Sequence, residues 1–112
     1  MLKILICARS ESFREVLKEV VQYQYDLILC EIIDQCQEII RGASIRLVMI
    51  DLESQDDPLK KIDQLIRNNP KLKIIVITNN RNVDLAQEAV RLGAVGHAIK
   101  PLKLAEIMNI IS

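Results

Sequence analysis

Aromatic residues are nearly missing from this chain: one phenylalanine, two tyrosines and no tryptophan in 112 residues. Since 50% of the residues are still hydrophobic, the core must be built from Ile, Leu and Val. Glycine and proline are scarce too, at three each, which speaks against a turn-rich sandwich and for alternating strands and helices. No excess of either charge exists, with 15 basic and 15 acidic side chains, so nothing calls for nucleic acid or an anionic membrane surface. The apolar runs are far shorter than a membrane span. The opening stretch, Met1 to Cys7, lacks the length and cleavage site of a signal peptide. Cysteine is limited to Cys7, Cys30 and Cys36, with no CxxC and no Cys/His zinc spacing. These read as reduced, packed thiols of a soluble cytoplasmic protein. The length suits one domain, residues 1–112.

What is present is a set of short apolar runs. The central one, Arg46–Asp51, is too short for a helix and reads as a strand buried on both faces, ending abruptly on a carboxylate. Similar runs predict strands at Leu2–Cys7, Asp26–Glu31, Leu72–Ile77 and Ala94–Ile99. Between them lie helical patterns. Phe13, Val16, Leu17, Val20 and Val21 recur at helical spacing over Ser12–Gln22, with Ser10 or Ser12 as cap and Ser12/Glu15 as a capping box. A short helix over Ile33–Arg41 turns Ile33, Cys36 and Ile40 inward and is closed by Gly42. The next carries Leu59, Ile62, Leu65 and Ile66, begins near Pro58 and stops before Pro70. Val83–Leu92 offers Leu85, Ala86, Ala89, Val90 and Leu92 to the core, and Gly93 ends it. A last amphipathic segment spans Leu102–Ile111. Five β-α repeats with short connections predict an α/β fold: a three-layer, doubly wound, five-stranded parallel sheet of order 2-1-3-4-5, with helices on both faces.

In such a sheet, functional groups gather at the carboxyl ends of the strands. Asp51, Thr78 and Lys100 each follow an apolar run, so a carboxylate, a hydroxyl and an ammonium converge on one edge. That trio suits phosphoryl transfer to a carboxylate. Asp51 acts as nucleophile, Lys100 neutralises the phosphoryl oxygens, and Thr78 hydrogen-bonds one of them.

The chain resembles a response regulator receiver domain (CheY-like) over its whole length. The matching residues are Asp51, Thr78 after Ile-Ile-Val-Ile, and the stretch Gly93-Ala94-Val95-Gly96-His97-Ala98-Ile99-Lys100-Pro101. The resemblance implies a domain of a two-component phosphorelay, with Asp51 as phosphoacceptor and no enzymatic activity beyond self-phosphorylation. It also implies a cis peptide at Lys100-Pro101, His97 at the position of a switch aromatic, and a sensor histidine kinase or phosphotransfer protein as partner. An effector domain or protein would receive the output. Homodimerisation would use the face of the fourth helix, fifth strand and last helix, where Val95, Leu102 and Met108 stand.

One departure is informative. Receivers follow their first strand with an acidic pair that holds Mg²⁺; here those positions read Ala8-Arg9. An alanine offers no oxygen and a guanidinium repels the ion. Arg9 is therefore expected to pair with Asp51 in the cation's place. Asp51 and Glu53 remain as metal ligands, and Glu11 reads as an acid of a first helical turn. Two versions follow: a working phosphoacceptor, or a pseudo-receiver that binds partners without phosphate. A more remote reading, a flavodoxin-like cofactor binder, meets no glycine in the Ala8–Ser12 loop, and the Asp-x-His-x-x-Gly loop of a cobalamin site is absent.

Overall fold

The computed structural model describes residues 2–21, 25–53, 55–103, 105, 106 and 109. Five strands, β1 (Leu2–Cys7), β2 (Tyr25–Cys30), β3 (Ile45–Asp51), β4 (Lys73–Thr78) and β5 (Gly96–Ile99), form one sheet of order β2-β1-β3-β4-β5. Every pairing is parallel. The helices are α1 (Glu11–Val21), α2 (Cys36–Gly42), α3 (Pro58–Asn68) and α4 (Val83–Leu92), and single 3₁₀ turns at Ile33–Gln35 and Asn80–Asn82 lead into α2 and α4. The predicted fold class and strand order are both observed.

Strand periodicity divides the core in two. Leu5, Cys7, Val48, Ile50, Ile74 and Val76 face one way, against Ile62 and Leu65 of α3 and Ala86 and Ala89 of α4. Ile4, Ile6, Leu47, Met49, Ile75 and Ile77 face the other, where Leu17 of α1 covers them with Phe13 and Leu102 at the margin. Alternate residues of β1, β3 and β4 thus go to opposite faces, and both faces are apolar because both are covered. Each fully buried aliphatic side chain of this set contributes about 1.5–3 kcal/mol relative to exposure.

Local chemistry moves several boundaries from their predicted places. Helix α1 starts at Glu11 because Ser10 is the cap: its Oγ accepts from the Phe13 amide at 3.2 Å, while Ser12 Oγ only meets Ser10 Oγ at 3.0 Å. Val16 is 53% exposed and does not join the core, which takes Leu17 instead. Residue 22 and the side chains at positions 20 and 21, also expected in this helix, fall outside the described residues. Gly42 is the last residue of α2 rather than a left-handed cap, since Ala43 leads straight into extended backbone (φ −141°). Gly93, in contrast, does end α4 with φ +129°, its amide donating to the Val90 carbonyl. Val90 and Leu92 are each 37% exposed, leaving the small Ala86 and Ala89 to let α4 lie close on the sheet. β5 is two residues shorter at its start than predicted. Half of the expected last helix, including Met108, lies outside the described residues. Among the described residues no helix is long and apolar enough to cross a membrane.

The loops at the carboxyl edge are cross-linked. Gln55, after β3, donates from Nε2 to the Glu31 carbonyl at 2.9 Å and accepts the Ile33 amide at 3.1 Å. Arg14 of α1 donates to the Ala8 carbonyl at 2.7 Å and so fixes the loop after β1.

Candidate functional site

The carboxyl edge carries the predicted trio because three parallel neighbours end there together. Asp51 is the last residue of β3 and pairs in register with Ile77; Thr78, the last of β4, pairs with Ile99, after which comes Lys100. Asp51 is 2% exposed and Thr78 wholly buried, the two polar residues of the core among the described residues. A carboxylate so placed must find partners. Its Oδ2 accepts from Lys100 Nζ at 2.8 Å and its Oδ1 from the Glu53 amide at 3.1 Å.

Lys100 is held from several sides. Its ammonium also lies 3.3 Å from Glu53 Oε2 and 4.1 Å from the centre of the Phe13 ring, a cation–π contact. Its amide donates to the Thr78 carbonyl at 2.8 Å, and the Lys100-Pro101 peptide is cis, as expected. Glu53 is tied in turn by Asn79, whose Nδ2 donates to Oε1 at 2.8 Å. The Thr78 hydroxyl donates at 3.4 Å to the Asn82 carbonyl, at the entry to α4. Asp51 and Lys100 are therefore in direct contact, while Thr78 joins them through the backbone. Burial pushes the Asp51 carboxyl above the usual carboxylate range, against the pull of Lys100 and the Glu53 amide.

The expected Arg9–Asp51 pair is not formed. Arg9 is exposed, and its charge bears on Asp34. Two competitors explain the difference: Lys100 already occupies Asp51, and Arg14 takes the carbonyl of Ala8 at the mouth of the loop. Glu11 sits in the first turn of α1, as its reading as a helix-terminal acid requires. His97 is partly buried on β5 and lines, with Gln87, Val90 and Arg91, a shallow depression of about 400 Å³. Two members of the site were not anticipated, Phe13 and Asn79. Asn79 directly follows Thr78 on the functional edge, a signal available from the sequence; Phe13 reaches over from α1 on the Leu47 and Met49 face, and its helical spacing marked it only as a core residue.

The residues present do not fit the Mg²⁺ that the receiver fold implies. Ala8 is buried and has no side-chain oxygen, and Arg9 adds a positive charge. The two nearby carboxylates, Asp51 and Glu53, share the ammonium of Lys100 between them. A cation already stands where their charges meet.

Comparison with known proteins agrees with this architecture. The sequence pattern of the response regulator receiver domain matches residues 4–112, and the chain belongs to that family, the receivers of two-component signalling. It is similar to the two-component response regulator-like protein PRR1 of Oryza sativa subsp. japonica, with 25% identity over 96% of this chain; it spans 22% of that relative's length. Among solved structures, the receiver domain of NtrX from Brucella abortus has a TM-score of 0.87 at 22% identity, covering 96% of this chain and 93% of that one. A response regulator from Burkholderia pseudomallei, with a phosphorylated aspartic acid, a calcium ion and citrate, has a TM-score of 0.85 at 21% identity, covering 100% of this chain and 67% of its own.

Proposed function

We propose that this chain is a pseudo-receiver: a receiver domain whose output is a protein–protein contact and whose Asp51 is not phosphorylated by the Mg²⁺-dependent route. The observation that carries this reading is the end of β1, where buried Ala8 and exposed Arg9 stand in place of the acidic pair. Phosphoryl transfer is positioning and charge neutralisation, and the divalent ion supplies much of the latter. With Lys100 shared between Asp51 and Glu53, the edge already holds a cation between its two carboxylates. The partners are then proteins that recognise the receiver surface, a histidine kinase or phosphotransfer protein upstream and an effector downstream. The rice relative, described as response regulator-like, is in keeping with this reading.

A second reading has its own support. Asp51, Lys100 and Thr78 keep the order and placement of a phosphoacceptor site, and the Burkholderia structure carries a phosphorylated aspartic acid on the same fold. The experiment that decides is incubation with acetyl phosphate and Mg²⁺, followed by intact mass. The pseudo-receiver gives no adduct. A Mg²⁺-dependent phosphoryl adduct that Asp51→Asn abolishes establishes the phosphoacceptor instead.

A further inference from the structure

The cysteines, far apart in sequence, meet in space. Cys7 and Cys30 are the last residues of neighbouring parallel strands and stand opposite each other in register. Cys36, the first residue of α2, comes down over them. The three sulfurs all lie within 4.8 Å of one another, Cys30 Sγ and Cys36 Sγ being 3.8 Å apart. All three thiols are free and buried; Cys30, at 7% exposure, is the one that solvent reaches.

We propose that Cys7, Cys30 and Cys36 form a binding site for one soft, thiophilic centre satisfied by three sulfur ligands, of the kind represented by trivalent arsenic and Cu(I). Sulfurs held about 2.3 Å from a common centre stand roughly 3.4 Å apart around a pyramidal centre and roughly 4.0 Å around a planar one, so the observed triangle needs only to contract around its occupant. Thiolate sulfur selects soft ions over hard ones. No fourth His, Cys, Asp or Glu donor joins the group among the described residues, which disfavours the four-coordinate shell that structural Zn²⁺ takes.

Charge ranks the occupants. The outside charges that bear on the cluster are one cation, Arg14, acting on Cys30, and one anion, Asp34, acting on Cys36. Each is itself ion-paired, Arg14 with Glu31 and Asp34 with Lys61, so the loaded site is cheapest when the centre and its three thiolates sum to zero. Arsenite meets that condition: three As–O and three S–H bonds break, three As–S bonds form and three waters leave, with no change of oxidation state. Cu(I) displaces the thiol protons to solvent and leaves a net negative site, so it ranks second.

The test is a titration of the reduced, full chain with arsenite, and separately with Cu(I) and with Zn²⁺, in competition with a chelator. Uptake is read by intact mass under native conditions and by the count of reactive thiols after denaturation. The expected result is one equivalent of arsenite or Cu(I) bound, three thiols protected, and uptake lost in Cys7→Ala, Cys30→Ala and Cys36→Ala. Far-UV circular dichroism of each variant checks the fold; for one that does not fold, the wild-type thiol count carries the result. Which of the two probes binds tighter identifies the occupant. Uptake of neither probe by wild type, protection of fewer than three thiols, or uptake unchanged in folded variants overturns the proposal. Zn²⁺ bound more tightly than both overturns the three-coordinate assignment.

Discussion

The amide of Lys100 donates to the carbonyl of Thr78 at 2.8 Å. That backbone link joins the ends of β4 and β5, so the residue bearing the ammonium on Asp51 and the residue bearing the buried hydroxyl are anchored to one another. The acidic edge is a single unit in which the cation is the common member.

Replacing Lys100 by Met is expected to destabilise the protein by about 3 kcal/mol at pH 7, because it leaves the Asp51 carboxylate buried without its ion partner. Urea denaturation of Lys100→Met, Asp51→Asn and the double variant measures the coupling. Equal losses from Lys100→Met in the presence and absence of the Asp51 carboxylate would contradict the assigned pairing.

Asp51 has a second consequence. Its carboxyl is raised in the folded state, so the folded protein holds that proton more tightly than the unfolded chain does. The stabilisation from this site is complete below the unfolded pKa and is lost as pH rises through the folded one. Asp51→Asn, which stays uncharged, is therefore expected to melt higher than wild type at pH 7, with the gap closing toward acid pH. Scanning calorimetry across pH 4 to 8 checks it; a gap that widens on acidification has the wrong sign.

The two described non-terminal glycines of helix ends should respond oppositely to alanine. At Gly93 the backbone is left-handed and a Cβ would meet Ile66 at 3.3 Å, whereas nothing lies within 4 Å of a Cβ at Gly42, inside α2. Gly93→Ala is expected to cost more than about 1 kcal/mol, and Gly42→Ala to add about 0.5–1 kcal/mol. Paired thermal melts decide the matter, and a stabilised Gly93→Ala would mean the turn is described wrongly.

Restoring the acids gives a direct check on the missing metal site. In Ala8→Asp/Arg9→Asp, carboxylates enter a partly buried loop end, and the variant should be less stable than wild type in EDTA. Millimolar Mg²⁺ should raise its melting temperature by mass action and leave wild type unmoved. If Mg²⁺ stabilises both proteins alike, the argument from Ala8-Arg9 fails.

Much of this was legible in the sequence, and for identifiable reasons. β3 and β4 are apolar runs with polar ends, so their type, their burial and the placement of Asp51 and Thr78 follow from pattern alone. The Lys100-Pro101 step was legible through family resemblance. Arg9 was misjudged because charge complementarity in a sequence does not reveal which of two nearby arginines can turn toward the sheet; Arg14, one helical turn into α1, holds the loop instead. Val16 and Val90 followed the helical period yet remain half exposed, since a helix packed on one face of a narrow sheet buries a thinner stripe than its apolar residues could fill. The thiol cluster was hidden most completely. Motif spacing is a property of local sequence, whereas this triangle is made by strand register and by a helix returning over it.

Gln55 spans the rim between the two sites. Its side-chain amide bonds both the Glu31 carbonyl and the Ile33 amide, tying the segment after Glu53 to the connection that runs from Cys30 into Cys36. Any displacement of the loop beyond Asp51 must therefore either stretch those two bonds or drag residues 31–33 with it. The acidic hollow and the sulfur triangle are mechanically geared through one uncharged crossbar.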